Sequence, residues 1–206
     1  MDKIKLGVLV GGTSIEREVS KKSCENLLAN LDENKYDITV YHLPADGNTE
    51  WAKNIISNPP QIVLSALHGG NGENGSIQGF LHCLNIPYIG SKVLSSAICM
   101  NKAMAKTVMK ANHIQIPDHV FVMRGVDFSQ YEESIKLMGF PLIVKPNRGG
   151  SSIGVIVARN MEDIHYGIKN IMENYDDDVL IEKFIDGKEI NCCVLQGENG
   201  PEAMAV

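Results

Sequence analysis

Lys145 and a nearby loop rich in glycine and serine are the features of this sequence best suited to bind an anion. Lys145 closes the apolar run FPLIV at 140–144, and a cation that follows a buried segment needs an anionic partner or an exit to solvent. The loop GGSSIG at 149–154 offers consecutive backbone N–H groups and two hydroxyls, a composition that can cradle a phosphate. Such a loop alone is more often a plain hairpin, but together with Lys145 it predicts nucleotide-phosphate binding. No Walker A loop is present, because GxxxxGK[ST] does not occur.

A carboxylate with a possible binding role follows the first apolar strand. The segment GGTSIE at 11–16 places Thr13 and Glu16 at the spacing of a helix capping box. A carboxylate beside a strand-to-helix crevice could instead hold the ammonium group of an amino-acid substrate. Both interpretations of Glu16 stay open. The segment is not a dinucleotide fingerprint, since GxGxxG is absent.

His68 begins a second glycine-rich segment, HGGNGENG at 68–75, directly after a predicted strand. Glycines there permit a close approach between the backbone and a ligand. His68 is either an ordinary loop histidine or a site residue, and Glu73 could bond it or a backbone amide. Taken alone, Lys102 is typical of a surface lysine.

The first ninety residues alternate short β-rich runs with helical stretches. The predicted strands are 4–10, 37–42 and 61–67, and the predicted helices are 14–29 and 76–84. This alternation indicates a parallel α/β unit. Because such units bind ligands where strand C-termini meet helix N-termini, segments 11–16 and 68–75 fall where a site is expected.

A second unit follows, with a different order of elements. The predictions are a helix at 91–112, strands at 119–123, 140–145, 155–158 and 179–184, helices at 131–138 and 164–172, and a hairpin turn at 186–187 leading to a strand at 189–195. A turn at 199–200 introduces one more strand. A sheet that stops there would leave an unpaired edge, so the sequence predicts a missing downstream part.

Composition limits the classes of protein to consider. With 206 residues, 44% apolar and 21% charged, the chain suffices for one large domain or two small ones, and disorder or collagen-like repetition is excluded. No apolar run approaches the roughly 20 residues that span a bilayer, and the N-terminus lacks a signal-peptide core, so we expect a cytoplasmic protein without a membrane partner. A net charge of -6 argues against nucleic acid as a partner. The five cysteines are expected to be reduced packing residues.

Taken in order, five motifs resemble those of the D-alanine-D-alanine ligase family of ATP-grasp enzymes. They are GGTSIEREVS at 11–20, LHGGNGENGSIQG at 67–79, MNK at 100–102, IVKP at 143–146 with GSSIG at 150–154, and IEK at 181–183. The first two are specific to this ligase branch, and the others are general to ATP-grasp proteins. The resemblance covers the N-terminal two-thirds of a family member. It implies a Rossmann-like parallel α/β domain followed by an ATP-grasp α+β domain whose C-terminal part is truncated.

The resemblance also implies domain limits and residue roles. Residues 1–91 would form the D-alanine-binding domain, 92–180 the central ATP-grasp subdomain with its phosphate-covering loop, and 181–206 the incomplete start of the C-terminal subdomain. Glu16 would hold the ammonium of the first D-alanine, Ser20 and Ser151 would order the site through hydrogen bonds, and His68 would lie beside that substrate; Glu16 and Ser151 are the implied catalytic pair. The residues implied at ATP are Lys102, Lys145, Gly150, Ser151 and Ser152 at the phosphates, Glu182, Lys183 and Ile185 at adenine, and Glu189 at the ribose.

The implied reaction joins two D-alanines for peptidoglycan synthesis. ATP would phosphorylate the carboxylate of the first D-alanine, and the amine of the second would attack the acyl phosphate. The family uses Mg2+, whose ligands are expected in the absent C-terminal part, so no metal ligand is predicted in this chain; a homodimer is expected. Asn101 stands where the family usually has Asp. The alternatives are a D-alanine-D-serine or D-alanine-D-lactate ligase, or a non-catalytic fragment that binds a nucleotide or a D-amino acid.

Overall fold

The computed structural model describes residues 2–204, and its first unit is built on a parallel sheet. The elements are β1 (Ile4–Gly11), α1 (Arg17–Asn30), β2 (Tyr36–Leu43), α2 (Glu50–Ser57), β3 (Ile62–Ser65), α3 (Gly70–Glu73) and α4 (Ser76–Cys83). The strand order is β2-β1-β3, with every pair parallel. Leu9 of β1 packs into one core, while Leu6, Val8 and Val10 pack into a second core on the α1 side. Both faces of β1 are covered, so the strand is held firmly in the sheet. The 11–16 loop starts at its carboxyl end, where α/β units usually bind ligands.

The second unit combines an antiparallel sheet with four helices. Its elements are α5 (Val93–Met100), α6 (Lys102–Ala111), β4 (His119–Val122), α7 (Ser129–Met138), β5 (Leu142–Pro146), β6 (Ile156–Ala158), α8 (Met161–Asn174) and β7 (Val179–Lys183). The strand order is β4-β7-β5-β6. The parallel unit followed by this α+β unit agrees with the expected fold class.

Helix α8 packs closely on the antiparallel sheet. Ile164, Ile168 and Ile171 carry its buried face, as their spacing predicts. Gly167 allows the close approach, because a Cβ there would lie 2.5 Å from Ile156 Cδ1 and 3.0 Å from Val144 Cγ1. Within residues 2–204, no helix is long and apolar enough to cross a membrane.

Two predictions about the chain path are wrong. The single helix expected at 91–112 is two helices, α5 and α6, separated at Asn101. The hairpin expected at 186–187 does not form within the described residues, and the strand expected at 189–195 begins only at Val194. Strand β8 (Val194–Gly197) pairs instead with β9 (Gly200–Ala203). The reason is topological: β4 and β5 occupy both sides of β7, so no edge of β7 is free for a returning strand.

The predicted limit between residues 180 and 181 falls inside β7. That strand pairs with β4 from Val179 to Glu182 and with β5 from Val179 to Lys183, so its five residues belong to one sheet. The limit at 91 lies in the segment before α5, where the helices of the second unit begin. We therefore propose that the central unit runs from residue 92 to Lys183.

The cysteines differ in their environments. All five lie in the described part of the chain and are free thiols. Cys24 is buried between α1 and β1, as expected for a packing residue. Cys83, Cys99, Cys192 and Cys193 are exposed, so the expectation of interior packing is wrong for those four.

Asn101 caps α6, and its replacement should cost stability. Its side-chain oxygen accepts a hydrogen bond of 3.0 Å from the Met104 N–H. We expect Asn101→Ala to lower the free energy of unfolding by about 1 kcal/mol, measured by chemical denaturation. Asn101→Asp is the matched control, because aspartate also caps helices and its charge favours a helix N-terminus. Equal destabilisation by both variants would contradict this role.

Candidate active site

The nine residues predicted to bind a nucleotide surround one cavity. This space, which we call the lysine cavity, has a volume of about 490 Å³ and lies between α6, the 149–154 loop, β5 and β7. Its wall includes Lys102, Lys145, Gly150, Ser151, Ser152, Glu182, Lys183, Ile185 and Glu189. Its volume is within the range of about 300–1,000 Å³ that is usual for small-molecule sites.

Strand pairing brings Lys145 and Glu182 together. Glu182 of β7 lies opposite Ile143 of β5, and Lys145 lies two residues further along β5. Residues two apart on a strand share a face, so both charged side chains point to the same side of the sheet. The Lys145 ammonium donates a hydrogen bond to Oε1 of Glu182.

Glu182 is held between two lysines. Lys106 Nζ forms an ion pair with Oε2 of Glu182 at 2.8 Å, whereas Lys145 bonds Oε1, and Oε2 accepts no hydrogen bond among the described residues. Burial by itself raises the pKa of the Glu182 carboxyl, but the contacts and charges of Lys106 and Lys145 outweigh it and bring the pKa below its ordinary value. The cavity wall carries three lysines, Lys102, Lys145 and Lys183, and two carboxylates, Glu182 and Glu189, while Lys106 pairs with Glu182 from outside the wall. The excess positive charge favours an anionic ligand.

Lys102 connects α6 to the glycine-rich loop. Its ammonium donates hydrogen bonds to the carbonyls of Pro146 (3.2 Å), Asn147 (3.4 Å) and Gly149. Burial, with repulsion from Lys145 as the next cause, lowers the pKa of Lys102. The side chain is half-buried and bonded to the loop, so the surface-lysine interpretation is wrong.

The 149–154 loop reaches from the second unit to the first. Ser151 and Ser152 both have left-handed backbones, with φ of 49° and 56°, a conformation that is uncommon outside glycine and that often marks functional sites. The Ser151 hydroxyl donates a hydrogen bond to a carboxylate oxygen of Glu16. The loop therefore links the lysine cavity to the segment after β1.

Glu16 faces the second unit. Helix α1 begins at Arg17, and within residues 2–204 the Glu16 side chain makes no capping hydrogen bond, so the capping-box interpretation is wrong. Its carboxylate lies against Gly69 and Gly150; an added Cβ at Gly150 would stand 3.2 Å from Oε2. Glu16 lines a neighbouring space of about 550 Å³, which we call the Glu16 cavity. The residues that line both cavities are Lys102, Pro146, Gly149, Gly150 and Ile153.

Ser20 and His68 are not among the residues that line the Glu16 cavity. Ser20 has no exposed surface, and its hydroxyl accepts a hydrogen bond of 2.8 Å from the Gly11 N–H, so it supports the loop that carries Glu16. His68 Nε2 lies 2.8 Å from Ser23 Oγ, and its ring lines a separate cavity of about 140 Å³ beside Trp51. Contact of either residue with a substrate stays a prediction.

The residues at the end of β7 and just after it differ in their contacts. The Lys183 ammonium donates to the carbonyls of Met138 (3.0 Å) and Gly139 (2.9 Å), so the Lys183 side chain anchors the end of α7. Ile185 and Glu189 are exposed on the wall of the lysine cavity. Their roles at adenine and ribose stay predictions.

Two residues of the site were not predicted. Lys106 is buried one helical turn after Lys102, and the i, i+4 spacing of the two lysines is the signal that could have indicated a shared face. Asn147 is fully buried, and its side-chain oxygen accepts a hydrogen bond of 2.9 Å from the Ala103 N–H, which fixes the start of α6. The sequence carries no comparable signal for Asn147.

The described residues contain no set of side chains suited to bind Mg2+. Among residues 2–204, no group of three or more His, Cys, Asp or Glu side chains is arranged to hold a metal ion. Of the two carboxylates on the wall of the lysine cavity, Glu182 is already paired with two ammonium groups. These residues therefore do not fit a metal centre.

The parallel unit, the four-stranded antiparallel unit and the lysine-lined cavity under a glycine-rich loop together define an ATP-grasp protein. Two family models match the chain: "D-ala D-ala ligase N-terminus" over residues 49–91 and "D-ala D-ala ligase C-terminus" over residues 108–206. The chain belongs to the D-alanine-D-alanine ligase family.

Individual relatives agree with this assignment. A D-alanine-D-alanine ligase of Bacillus anthracis is 40% identical over 199 residues, which cover 96% of this chain and 63% of the relative. The crystal structure of the Bacillus anthracis ligase complexed with ATP has a TM-score of 0.79 at 38% identity, over 92% of this chain and 61% of that one. VanG D-Ala:D-Ser ligase from Enterococcus faecalis has a TM-score of 0.82 at 27% identity, over 98% and 68%. The chain thus spans less than two-thirds of the length of the Bacillus relatives.

Proposed function

We propose that this chain provides the ATP site and the first D-alanine site of an ATP-dependent D-alanine-D-alanine ligase that serves peptidoglycan synthesis. The observation that carries the proposal is the lysine cavity: residues from three of the five motifs meet around it, with an excess of positive charge. The Glu16 cavity shares a wall with it, so two ligands bound in these cavities would be neighbours. An acyl-phosphate mechanism requires this proximity.

One group of these residues binds ATP, and another binds the first D-alanine. Lys102 and Lys145 bind the phosphates of ATP, and the 149–154 loop covers them with backbone N–H groups and the Ser151 and Ser152 hydroxyls. The Glu16 carboxylate binds the ammonium of the first D-alanine and is oriented by Ser151. The contribution of these residues is positioning and charge stabilisation around the transferred phosphoryl group.

The reaction proceeds in two steps. A carboxylate oxygen of the first D-alanine takes the terminal phosphoryl group of ATP, and ADP leaves. The amine of the second D-alanine then attacks the acyl carbon, so that the peptide bond forms, phosphate leaves and the amine loses a proton. The family is expected to use Mg2+ to offset phosphate charge, and no step is assigned to the metal in this chain.

The test is phosphate release from MgATP that depends on D-alanine, with dipeptide measured in the same samples. The preparation must show the intact mass of the chain, 22.6 kDa. Dipeptide and phosphate in equal amounts would support ligation by this chain. Binding of ATP and D-alanine without dipeptide would support the alternative of a non-catalytic binding fragment, and binding of neither would contradict both.

The second substrate, whose amine or hydroxyl accepts the acyl group, is a separate question, because the chain is also similar to VanG D-Ala:D-Ser ligase. The Glu16 cavity concerns the first substrate, which these ligases share, so it does not select the acceptor. We propose D-alanine as the acceptor, because the relatives with the higher identities carry that name. Competition among D-alanine, D-serine and D-lactate, followed by product analysis, tests the choice.

Location and assembly complete the proposal. We propose a cytoplasmic protein that forms a homodimer, on the basis of its family resemblance. Sedimentation equilibrium would test the dimer, and a monomer at micromolar concentration would contradict it.

Gly69 provides a test of the Glu16 position that leaves the carboxylate in place. Gly69 has φ of +64°, and an added Cβ would overlap an oxygen of the Glu16 carboxylate. We expect Gly69→Ala to displace that carboxylate and to raise the Kd for D-alanine roughly tenfold. A tenfold change is the lower end of the effect of losing a hydrogen bond to a charged group, which contributes about 1.5–3 kcal/mol. Gly125→Ala is the control, because Gly125 has φ of +76° and open space around it. Equal D-alanine affinity in both variants would contradict the placement.

A further inference from the structure

Lys106 is a buried cation for which the family motifs assign no role. It lies on α6 one turn after Lys102, and only 9% of its surface is exposed. Lysine is rarely buried to this degree unless it is paired. Its partner is Oε2 of Glu182, at 2.8 Å.

This pairing affects Lys145. The Glu182 carboxylate carries one negative charge, and Lys145 donates to its Oε1. If Lys145 were the sole partner, that charge would neutralise most of the Lys145 ammonium and weaken its attraction for a phosphate. Because Lys106 binds the other oxygen, the carboxylate is shared between two cations and Lys145 keeps more of its positive charge.

The pairing also keeps Glu182 ionised. Lys145 donates a hydrogen bond to Oε1, and the Lys106 ammonium lies 2.8 Å from Oε2, which accepts no hydrogen bond among the described residues. Lys106 therefore acts on the carboxylate through its charge. The two lysines together outweigh the burial that would favour the protonated form of Glu182.

We propose that Lys106 is a positioning residue of the nucleotide site, which acts through Glu182 to keep the Lys145 ammonium available to a phosphate group. Lys106 is not on the wall of the lysine cavity, so it contacts no ligand directly. The inference rests on the proposed function, since it assumes that the cavity binds ATP.

The test is calorimetric titration of the folded chain with ATP and, separately, with adenosine. We expect Lys106→Met to raise the Kd for ATP about tenfold and to leave the Kd for adenosine within twofold, because the effect acts on phosphates. Lys106→Arg should restore most of the ATP affinity. Lys110→Met is the matched control: it removes the same charge from an exposed position of α6 and should leave the Kd for ATP unchanged.

A double-mutant cycle separates this role from a structural one. If Lys106 acts through Glu182, Lys106→Met should have less than a twofold effect on the Kd for ATP in a Glu182→Gln background. A purely structural role would lower the affinities for ATP and adenosine together and would persist in that background. Lys106→Gln is the second variant if Lys106→Met does not fold, because its amide can still donate to the carboxylate without the charge.

The outcomes separate the two proposals. Wild-type chain that does not bind ATP overturns the proposed function, and with it this inference. Wild-type chain that binds ATP, with Lys106→Met or Lys106→Gln indistinguishable from Lys110→Met, overturns the inference alone. Selective loss of ATP affinity that disappears with Glu182→Gln supports it.

Discussion

Lys145→Ala is expected to raise the Kd for ATP by roughly 10- to 150-fold, which corresponds to about 1.5–3 kcal/mol for a hydrogen bond to a charged group. The substitution removes an ammonium group from the wall of the lysine cavity. The variant should still fold, because Glu182 keeps Lys106 as a partner at 2.8 Å and is not left as an unpaired buried charge. Calorimetric titration with ATP gives the result.

Lys169→Ala is the control for this experiment. Lys169 lies on α8 with 73% of its side chain exposed, and its only nearby carboxylate in the described chain is Glu173 at 3.9 Å. Its loss should not change ATP affinity, since an exposed pair contributes little. Equal Kd values for Lys145→Ala and Lys169→Ala would remove Lys145 from the ATP site.

Glu16→Gln is the second large expected effect. Glutamine keeps an oxygen that can accept the Ser151 hydrogen bond, so the change removes the charge and little else. We expect the Kd for D-alanine, measured with a non-hydrolysable ATP analogue present, to rise by roughly 10- to 150-fold, because an ammonium-carboxylate contact contributes about 1.5–3 kcal/mol. ATP affinity should change much less.

Glu18→Gln is its matched control. This substitution removes the same charge two residues later, at a side chain that pairs with Lys21 on the exposed side of α1. D-alanine affinity that falls equally in both variants would show a general effect of charge near α1. Unchanged affinity in Glu16→Gln would contradict the assignment of the ammonium site.

The regular elements could be predicted where local pattern and tertiary structure agree. The isoleucines of α8 recur at helical spacing, and those at 164, 168 and 171 are buried. Strand β1 carries apolar side chains at Leu6, Val8, Leu9 and Val10 because both of its faces are covered there. Helix α2 was not predicted, since eight residues with one fully buried side chain, Ile55, carry a weak signal.

Tertiary structure overrode local signals at two places. Nothing near Asn101 is a helix breaker, yet the helix divides there, and the N–H of Lys102 donates to the Asn147 carbonyl. An Asp-Gly pair at 186–187 is typical of a hairpin, but β7 has no free edge to pair with. Neither the position of Asn147 nor the strand order can be obtained from local spacing.

In the site, too, some residues could be predicted from the sequence and others could not. Motifs indicated the residues on the wall of the lysine cavity, because residue type and order carry that information. They did not indicate Lys106, whose role depends on a carboxylate 76 positions away in the sequence that only the fold brings to 2.8 Å. Likewise, Ser20 and His68 belong to motifs, but the fold gives them partners in Gly11 and Ser23.

The most direct test is a crystal structure of this chain with a non-hydrolysable ATP analogue and D-alanine. We expect the triphosphate beside Lys102 and Lys145 in the lysine cavity, and the D-alanine ammonium at Glu16 in the adjoining cavity. A nucleotide bound elsewhere, with the lysine cavity empty at saturating analogue, would contradict it.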